Sequence, residues 1–120
     1  MLVDDDGDIL SSYGRLLERR LGAKVLRASS GMEALRMLDG QQVDFFLSDY
    51  RMPEMDGIQF LAITRATYPL AKRAIFTAFA EPTLVTRAKK EADVDDFFSK
   101  DGDPEVIVQR VRKMLGLSAA

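Results

Sequence analysis

Asp4, Asp5 and Asp6 follow one short apolar run, Asp49 follows a second, Thr77 ends a third, and Lys100 follows a fourth. The chain holds no cysteine and no histidine, which excludes disulfides, thiolate nucleophiles, cysteine or histidine metal sites and an imidazole proton shuttle. Its chemistry must therefore run on carboxylates, hydroxyls and lysines. Acids gathered in a partly dry cleft repel one another, so either their pKa values rise or a hard divalent cation binds, and Mg²⁺ is the simplest choice. Taken singly, each residue has an ordinary reading. Asp4 to Asp6 would be a solvated loop capping a helix, Asp49 a turn residue before Pro53, and Thr77 and Lys100 strand ends. Only their joint placement at one edge of a sheet argues otherwise.

The elements that must position them alternate along the chain. Short β-type runs cover Met1 to Val3, Lys24 to Ala28, Val43 to Ser48, Arg73 to Thr77 and Asp96 to Ser99. Between them lie helical spacings: Ile9, Tyr13, Leu16, Leu17 and Leu21 in the first segment, Ala34, Leu35 and Leu38 in the second. A third helix is expected from Gly57 to Tyr68, before Pro69, and a fourth, poorer in apolar residues, from Pro82 to Ala92. The last, opened by Asp103 and Pro104, is expected to bury Val106, Ile107, Val111, Met114 and Leu115. Ser30 followed by Glu33 has capping-box spacing. Strict β-α alternation predicts an α/β, doubly wound, five-stranded parallel sheet with helices on both faces, whose site lies beyond the carboxyl ends of the strands.

A length of 120 residues is that of one compact domain. A formal charge of −2 at pH 7 denies it the basic field that drives nucleic-acid binding, so direct DNA contact by this segment is not expected. No apolar run reaches membrane-spanning length and no basic-then-apolar leader opens the chain, which reads as cytoplasmic. The first strand is short enough that an earlier start stays open. Residues 1–115 read as the domain, and 116–120 as a C-terminal tail or linker stub.

Four segments carry a resemblance: Val3-Asp4-Asp5-Asp6; Ser48-Asp49-Tyr50-Arg51-Met52-Pro53-Glu54-Met55-Asp56-Gly57; Phe76-Thr77-Ala78; and Phe97-Phe98-Ser99-Lys100. Together they look like the motifs of response-regulator receiver domains, in the superfamily of the chemotaxis regulators, and the resemblance covers essentially the whole length. It implies the flavodoxin-like (βα)5 fold with strand order 2-1-3-4-5. It implies that Asp49 is the phosphoacceptor. Asp5, Asp49 and the backbone carbonyl of Arg51 would be direct Mg²⁺ ligands, with Mn²⁺ able to substitute, and Asp4 would act mostly through bound water. Lys100 would pair with the acids and then with phosphoryl oxygens, joined by the Thr77 hydroxyl and the Ala78 backbone N–H. Phe97 would be the switch aromatic. Arg51 and Phe79 would tune phosphate lifetime, crowding the path of a hydrolytic water and slowing autodephosphorylation, unless both side chains lie over solvent.

The implied function is Mg²⁺-dependent acceptance of a phosphoryl group from a sensor histidine kinase or a histidine phosphotransfer protein. Such a domain is a signalling module and not an enzyme with its own turnover. Phosphorylation would change the surface of the fourth helix, fifth strand and fifth helix, through which a homodimer, an effector domain or an output protein would engage. One departure stands out: members usually carry proline, joined by a cis bond, directly after the lysine, and this chain has Asp101. A non-proline cis bond costs about 2.5–4 kcal/mol, so a trans bond and an altered loop are expected, with Asp101 in reach of Lys100. Two rivals stay open: a receiver-like interaction module independent of phosphate, and a haloacid-dehalogenase-type phosphatase using Asp4-x-Asp6, Thr77, Lys100 and Asp95-Asp96. The second leaves the Asp49 segment unexplained. A calcium loop at Asp4 to Asp8 fails on its glycine and closing glutamate positions.

Overall fold

The computed structural model describes residues 1–117; Ser118 to Ala120, part of the expected tail, lie outside the described residues. Strands and helices alternate as β1 (Leu2–Val3), α1 (Gly7–Leu21), β2 (Arg27–Ala28), α2 (Gly31–Met37), β3 (Phe45–Asp49), α3 (Gly57–Thr67), β4 (Lys72–Phe76), α4 (Pro82–Ala92), β5 (Asp96–Phe98) and α5 (Pro104–Met114). All pairings are parallel, in the order β2-β1-β3-β4-β5. This is the order that the resemblance implied. β2 is shorter than the expected Lys24 to Ala28, because its one strand partner, β1, presents only two residues for it to pair with.

The period-two alternation of the strands sorts their side chains onto two cores. Val3, Phe46 and Ile75 face one core with Ala34, Ile58, Phe60, Leu61, Ala88 and Ala92, beneath α2, α3 and α4. Leu2, Phe45, Leu47, Ala74, Phe76 and Phe98 face the other with Tyr13, Ile107 and Val111, beneath α1 and α5. Both faces of the sheet are thus covered, which is why its strands read as nearly continuous apolar runs. Val106 departs from expectation: it stays half exposed, because the phase of α5 turns Ile107, Val108 and Val111 inward.

The starts of α1, α2, α3 and α5 are fixed by short polar side chains. Asp6 accepts the Asp8 N–H at α1, and Asp103 accepts the Glu105 N–H at α5. Ser30 caps α2 by accepting the Glu33 N–H at 3.1 Å, but the Glu33 carboxylate reaches past it to the N–H of Ser29 at 3.0 Å. The expected box at Ser30 is therefore half formed. The complete one opens α3, where Asp56 accepts the Gln59 N–H and the Gln59 side chain accepts the Asp56 N–H. The buried Arg73 of β4 donates to the carbonyls of Tyr68 and Ala71, just after α3, so its charge is met by backbone dipoles.

Candidate functional site

Strand register brings the chemistry to one edge. Val3 is level with Ser48, Asp49 with Phe76, and Phe76 with Phe98. The next residues along β1, β4 and the β5 exit are Asp4, Thr77 and, two beyond Phe98, Lys100, so the carboxyl ends of four strands present them side by side with Asp49.

Oxygens of Asp4, Asp5 and Asp49 lie within 4.8 Å of one another, with Asp4 and Asp49 buried and Asp5 exposed. Lys100 Nζ sits 2.9 Å from Asp4 Oδ2 and 3.3 Å from Asp49 Oδ2. Asp4 Oδ1 accepts the Asp6 N–H at 2.9 Å. Its fully buried Oδ2 has no well-directed hydrogen bond, and its charge is met by the Lys100 ammonium. Burial pushes the Asp49 carboxyl up to about 6; Asp4 and, more weakly, Asp5 push the same way, and Lys100 opposes them. Burial alone would lower the Lys100 value, but the bond and charge of Asp4, then Asp49, outweigh it and hold the ammonium above its ordinary value. One ammonium, paired with Asp4 and Asp49, thus serves a cluster of three carboxylates, which is short of positive charge. Hard oxygen donors, the buried Asp4 Oδ2 having only the Lys100 ammonium beside it, fit a small divalent cation such as Mg²⁺.

The cleft beside Asp49 encloses about 630 Å³ and is lined by Arg51, Thr77, Ala78, Phe79, Leu84 and Arg87, among others. Thr77 is only partly buried. Its N–H donates to the Phe98 carbonyl at 2.9 Å, fixing its backbone to β5. Its hydroxyl, in contrast, makes two long local bonds, donating to the Phe79 carbonyl at 3.3 Å and accepting the Phe79 N–H at 3.4 Å. Ala78 is exposed, and Arg51 and Phe79 sit exposed at the cleft mouth, Phe79 with 71% of its surface in solvent. Phe97 is half-buried against the core beneath α4.

The other acids separate. Asp6 is spent on the α1 cap, so its ordinary reading holds. Asp95 accepts the Arg73 N–H and Asp96 pairs with Arg110, both at the start of β5, the end away from Lys100. The constellation that a haloacid-dehalogenase-type phosphatase requires is therefore not assembled. Among the described residues every peptide bond is trans, that after Lys100 included. The ion pairs of Lys100 are to Asp4 and Asp49, whereas Asp101 is exposed, its N–H donating to Ser99 Oγ; the expected approach of Asp101 to Lys100 does not occur. Sequence reasoning missed Arg87, whose guanidinium lines the cleft and bonds Asp56 at 3.4 Å and Glu91 at 2.7 Å. An arginine in an amphipathic helix ordinarily meets solvent, and no spacing marked this one out.

Residues 1–112 match the family described as "Response regulator receiver domain". The chain belongs to that family. This receiver domain is 37% identical to the transcriptional regulatory protein GlrR of Escherichia coli K12 over 120 residues, covering 99% of the chain and 26% of that protein. It thus spans about a quarter of the length of the curated relatives it first matches. Among solved structures, an uncharacterized protein from Neptuniibacter caesariensis superposes with a TM-score of 0.86 at 34% identity, covering 97% of this chain and 85% of that one. The signal receiver domain of an HD domain-containing protein from Pseudomonas fluorescens Pf-5 gives 0.82 at 27% identity, covering 96% and 91%. The receiver domain is a signalling module of two-component systems, and among its described residues no helix is long and apolar enough to cross a membrane.

Proposed function

We propose that Asp49 accepts a phosphoryl group from a phosphohistidine of a sensor histidine kinase or a histidine phosphotransfer protein. The observation that carries the reading is the buried Asp49 carboxylate, flanked by Lys100 at 3.3 Å and grouped with Asp4 and Asp5 at the floor of an open cleft. With no histidine in the chain, the donor imidazole must come from another protein. An Asp49 oxygen attacks phosphorus, the P–N bond breaks, and the electron pair leaves with the donor nitrogen, giving an aspartyl phosphate.

Asp5, Asp49 and the Arg51 carbonyl would hold Mg²⁺, or Mn²⁺, directly, with Asp4 behind them. When bound, the ion supplies the positive charge that lets a carboxylate approach a phosphate and that stabilises the charge developing on the equatorial oxygens. Lys100 already faces both buried acids and has only to shift its ammonium toward a phosphoryl oxygen. The Thr77 hydroxyl, leaving its weak bonds to Phe79, donates to another, and the Ala78 N–H to the same region. Movement of Thr77 shifts the start of α4 and lets Phe97 turn further inward, changing the α4-β5-α5 surface. Arg51 and Phe79 at the cleft mouth slow the approach of hydrolytic water. Residues 1–115 act as the domain and 116–120 as the lead into an effector domain, a reading supported by the greater length of relatives such as GlrR. The α4-β5-α5 face serves a homodimer or an output protein. The module works in the cytoplasm, does not turn over a substrate of its own, and leaves any nucleic-acid contact to an attached domain.

The test is incubation with acetyl phosphate and Mg²⁺ beside Asp49→Asn and a metal-free control, read by intact mass. One phosphoryl adduct is expected, dependent on both Mg²⁺ and Asp49. An adduct that survives Asp49→Asn, or none at all in a protein that binds Mg²⁺, overturns the proposal; the second outcome makes the domain an interaction module independent of phosphate.

A further inference from the structure

We infer that Gly57 is a positioning residue for the Asp49–Arg51 backbone, present because a side chain there would displace the phosphoacceptor. The inference rests on the reading of Asp49 given above. Gly57 is the first residue of α3 and is buried. It does not have a positive φ, so conformational freedom is not the reason for glycine at this place. A Cβ built on it would stand 2.3 Å from the Asp49 carbonyl oxygen, 3.1 Å from the Asp49 carbonyl carbon and 3.2 Å from Tyr50 Cα. All three are backbone atoms of the segment that carries the acceptor, and none can swing aside as a side chain does. The Gly57 N–H donates to the Tyr50 carbonyl at 2.8 Å, closing the neck of the loop from Tyr50 to Asp56. Arg51, whose carbonyl is assigned to the cation, is the first residue inside that neck.

Gly31 supplies the contrast. A Cβ there would meet the Met55 sulfur at 2.8 Å and Cγ at 3.3 Å, the far end of a flexible side chain from the same loop. The contact at Gly57 is therefore backbone against backbone, whereas that at Gly31 is with a side chain that can yield. Pushing the neck shifts an Asp49 oxygen and the Arg51 carbonyl together, the two groups that a cation needs in fixed relation. Pushing the Met55 side chain, which can yield, leaves them in place.

The experiment compares Gly57→Ala and Gly31→Ala with the wild type, using Mg²⁺ alone as the probe and calorimetric titration as the readout. Gly57→Ala is expected to weaken Mg²⁺ binding by about tenfold or more, because a displacement of the order of 1 Å at a reacting centre is strongly felt. Gly31→Ala should stay close to the wild type. Backbone ¹⁵N shifts of Asp49, Tyr50 and Arg51 should move in Gly57→Ala and hold in Gly31→Ala. Should Gly57→Ala fold poorly, Glu54→Gly combined with Gly57→Ala keeps the Cβ while relieving the positive φ of 70° at Glu54. Unchanged Mg²⁺ affinity in a folded Gly57→Ala protein, or equal weakening in both single variants, overturns the inference. Mg²⁺ binding by a wild type that never gains a phosphoryl group would overturn the acceptor reading and leave Gly57 to be judged by affinity. If the wild type binds no Mg²⁺, the ¹⁵N shifts decide: movement in both variants or in neither overturns it.

Discussion

The two walls of the cleft are built differently. On one side, the segment from Asp49 to Gly57 leaves a buried strand, is tied back by the Gly57 N–H to Tyr50, and enters a helix whose first turn is locked by a complete capping box. On the other side, the segment from a partly buried Thr77 to Glu81 runs out into solvent beyond the end of β4, its one hydroxyl held by bonds of 3.3 and 3.4 Å. Hydrogen bonds of that length contribute little, so the Thr77 wall is poised to rearrange while the Asp49 wall is preformed. A receiver needs both properties: chemistry demands a fixed nucleophile, and signalling demands a part that moves.

The sharpest way to break this contrast is to measure the strain stored in the Asp49 wall. The native carboxyl of Asp49 sits at about 6, above its ordinary value of 3.8, so the folded metal-free protein holds that proton more tightly than the unfolded chain. As far as this group is concerned, stability should therefore be greatest below about pH 4, fall as pH rises through about 6, and stay level above. The loss amounts to at most about 3 kcal/mol. Asp49→Asn removes the repulsion, so urea midpoints at pH 7 should favour the variant, with the advantage shrinking toward pH 4. An advantage that is the same at both pH values would mean that the wall is not strained as described. Mg²⁺ should stabilise the wild type and act much less on the variant.

A smaller effect sharpens the other side. Thr77→Ala should change the stability of the unphosphorylated domain by less than about 0.5 kcal/mol, because only weak local bonds are lost. It should nevertheless blunt the spread of chemical-shift changes from the site to α4, β5 and α5 when a phosphoryl mimic binds with Mg²⁺. A wild type whose changes stay confined to the metal site would refute the proposed switch outright. Smallest of all, Arg51→Ala and Phe79→Ala should shorten the life of the aspartyl phosphate by up to about twofold, equivalent to at most ~0.4 kcal/mol. Decay of the phosphorylated mass in each protein measures this, and slower decay in the variants would show that the exposed side chains do not hinder water.

Much of the fold was legible because its signals are local. Alternating apolar runs and helical spacings, Pro69 closing α3 and Pro82 opening α4 mark their elements within a few residues. The helix phase of α5 was misjudged at Val106, since neighbouring valines and isoleucines are equally apolar and only packing decides which turn inward. The box at Ser30 was misjudged for a similar reason: the Glu33 carboxylate had two donors in reach, and the loop conformation selected Ser29.

What the sequence determined by itself is the inventory and its order: carboxylates after the first and third strands, a hydroxyl after the fourth and a lysine after the fifth, with neither histidine nor cysteine. Parallel β-α alternation then brings these to one edge whatever the packing details, because every strand runs the same way. Tertiary structure alone decided which members meet. It joined Asp4, Asp5 and Asp49 and left Asp6 to cap a helix, it turned Asp101 away from Lys100, and it brought Arg87 of α4 into the cleft. It also set the Asp49 backbone against a glycine that the chain otherwise records only as the first residue of a helix. Those outcomes depend on distances of a few ångströms between segments far apart in the chain, and such distances are set by side-chain packing and charge rather than by local pattern.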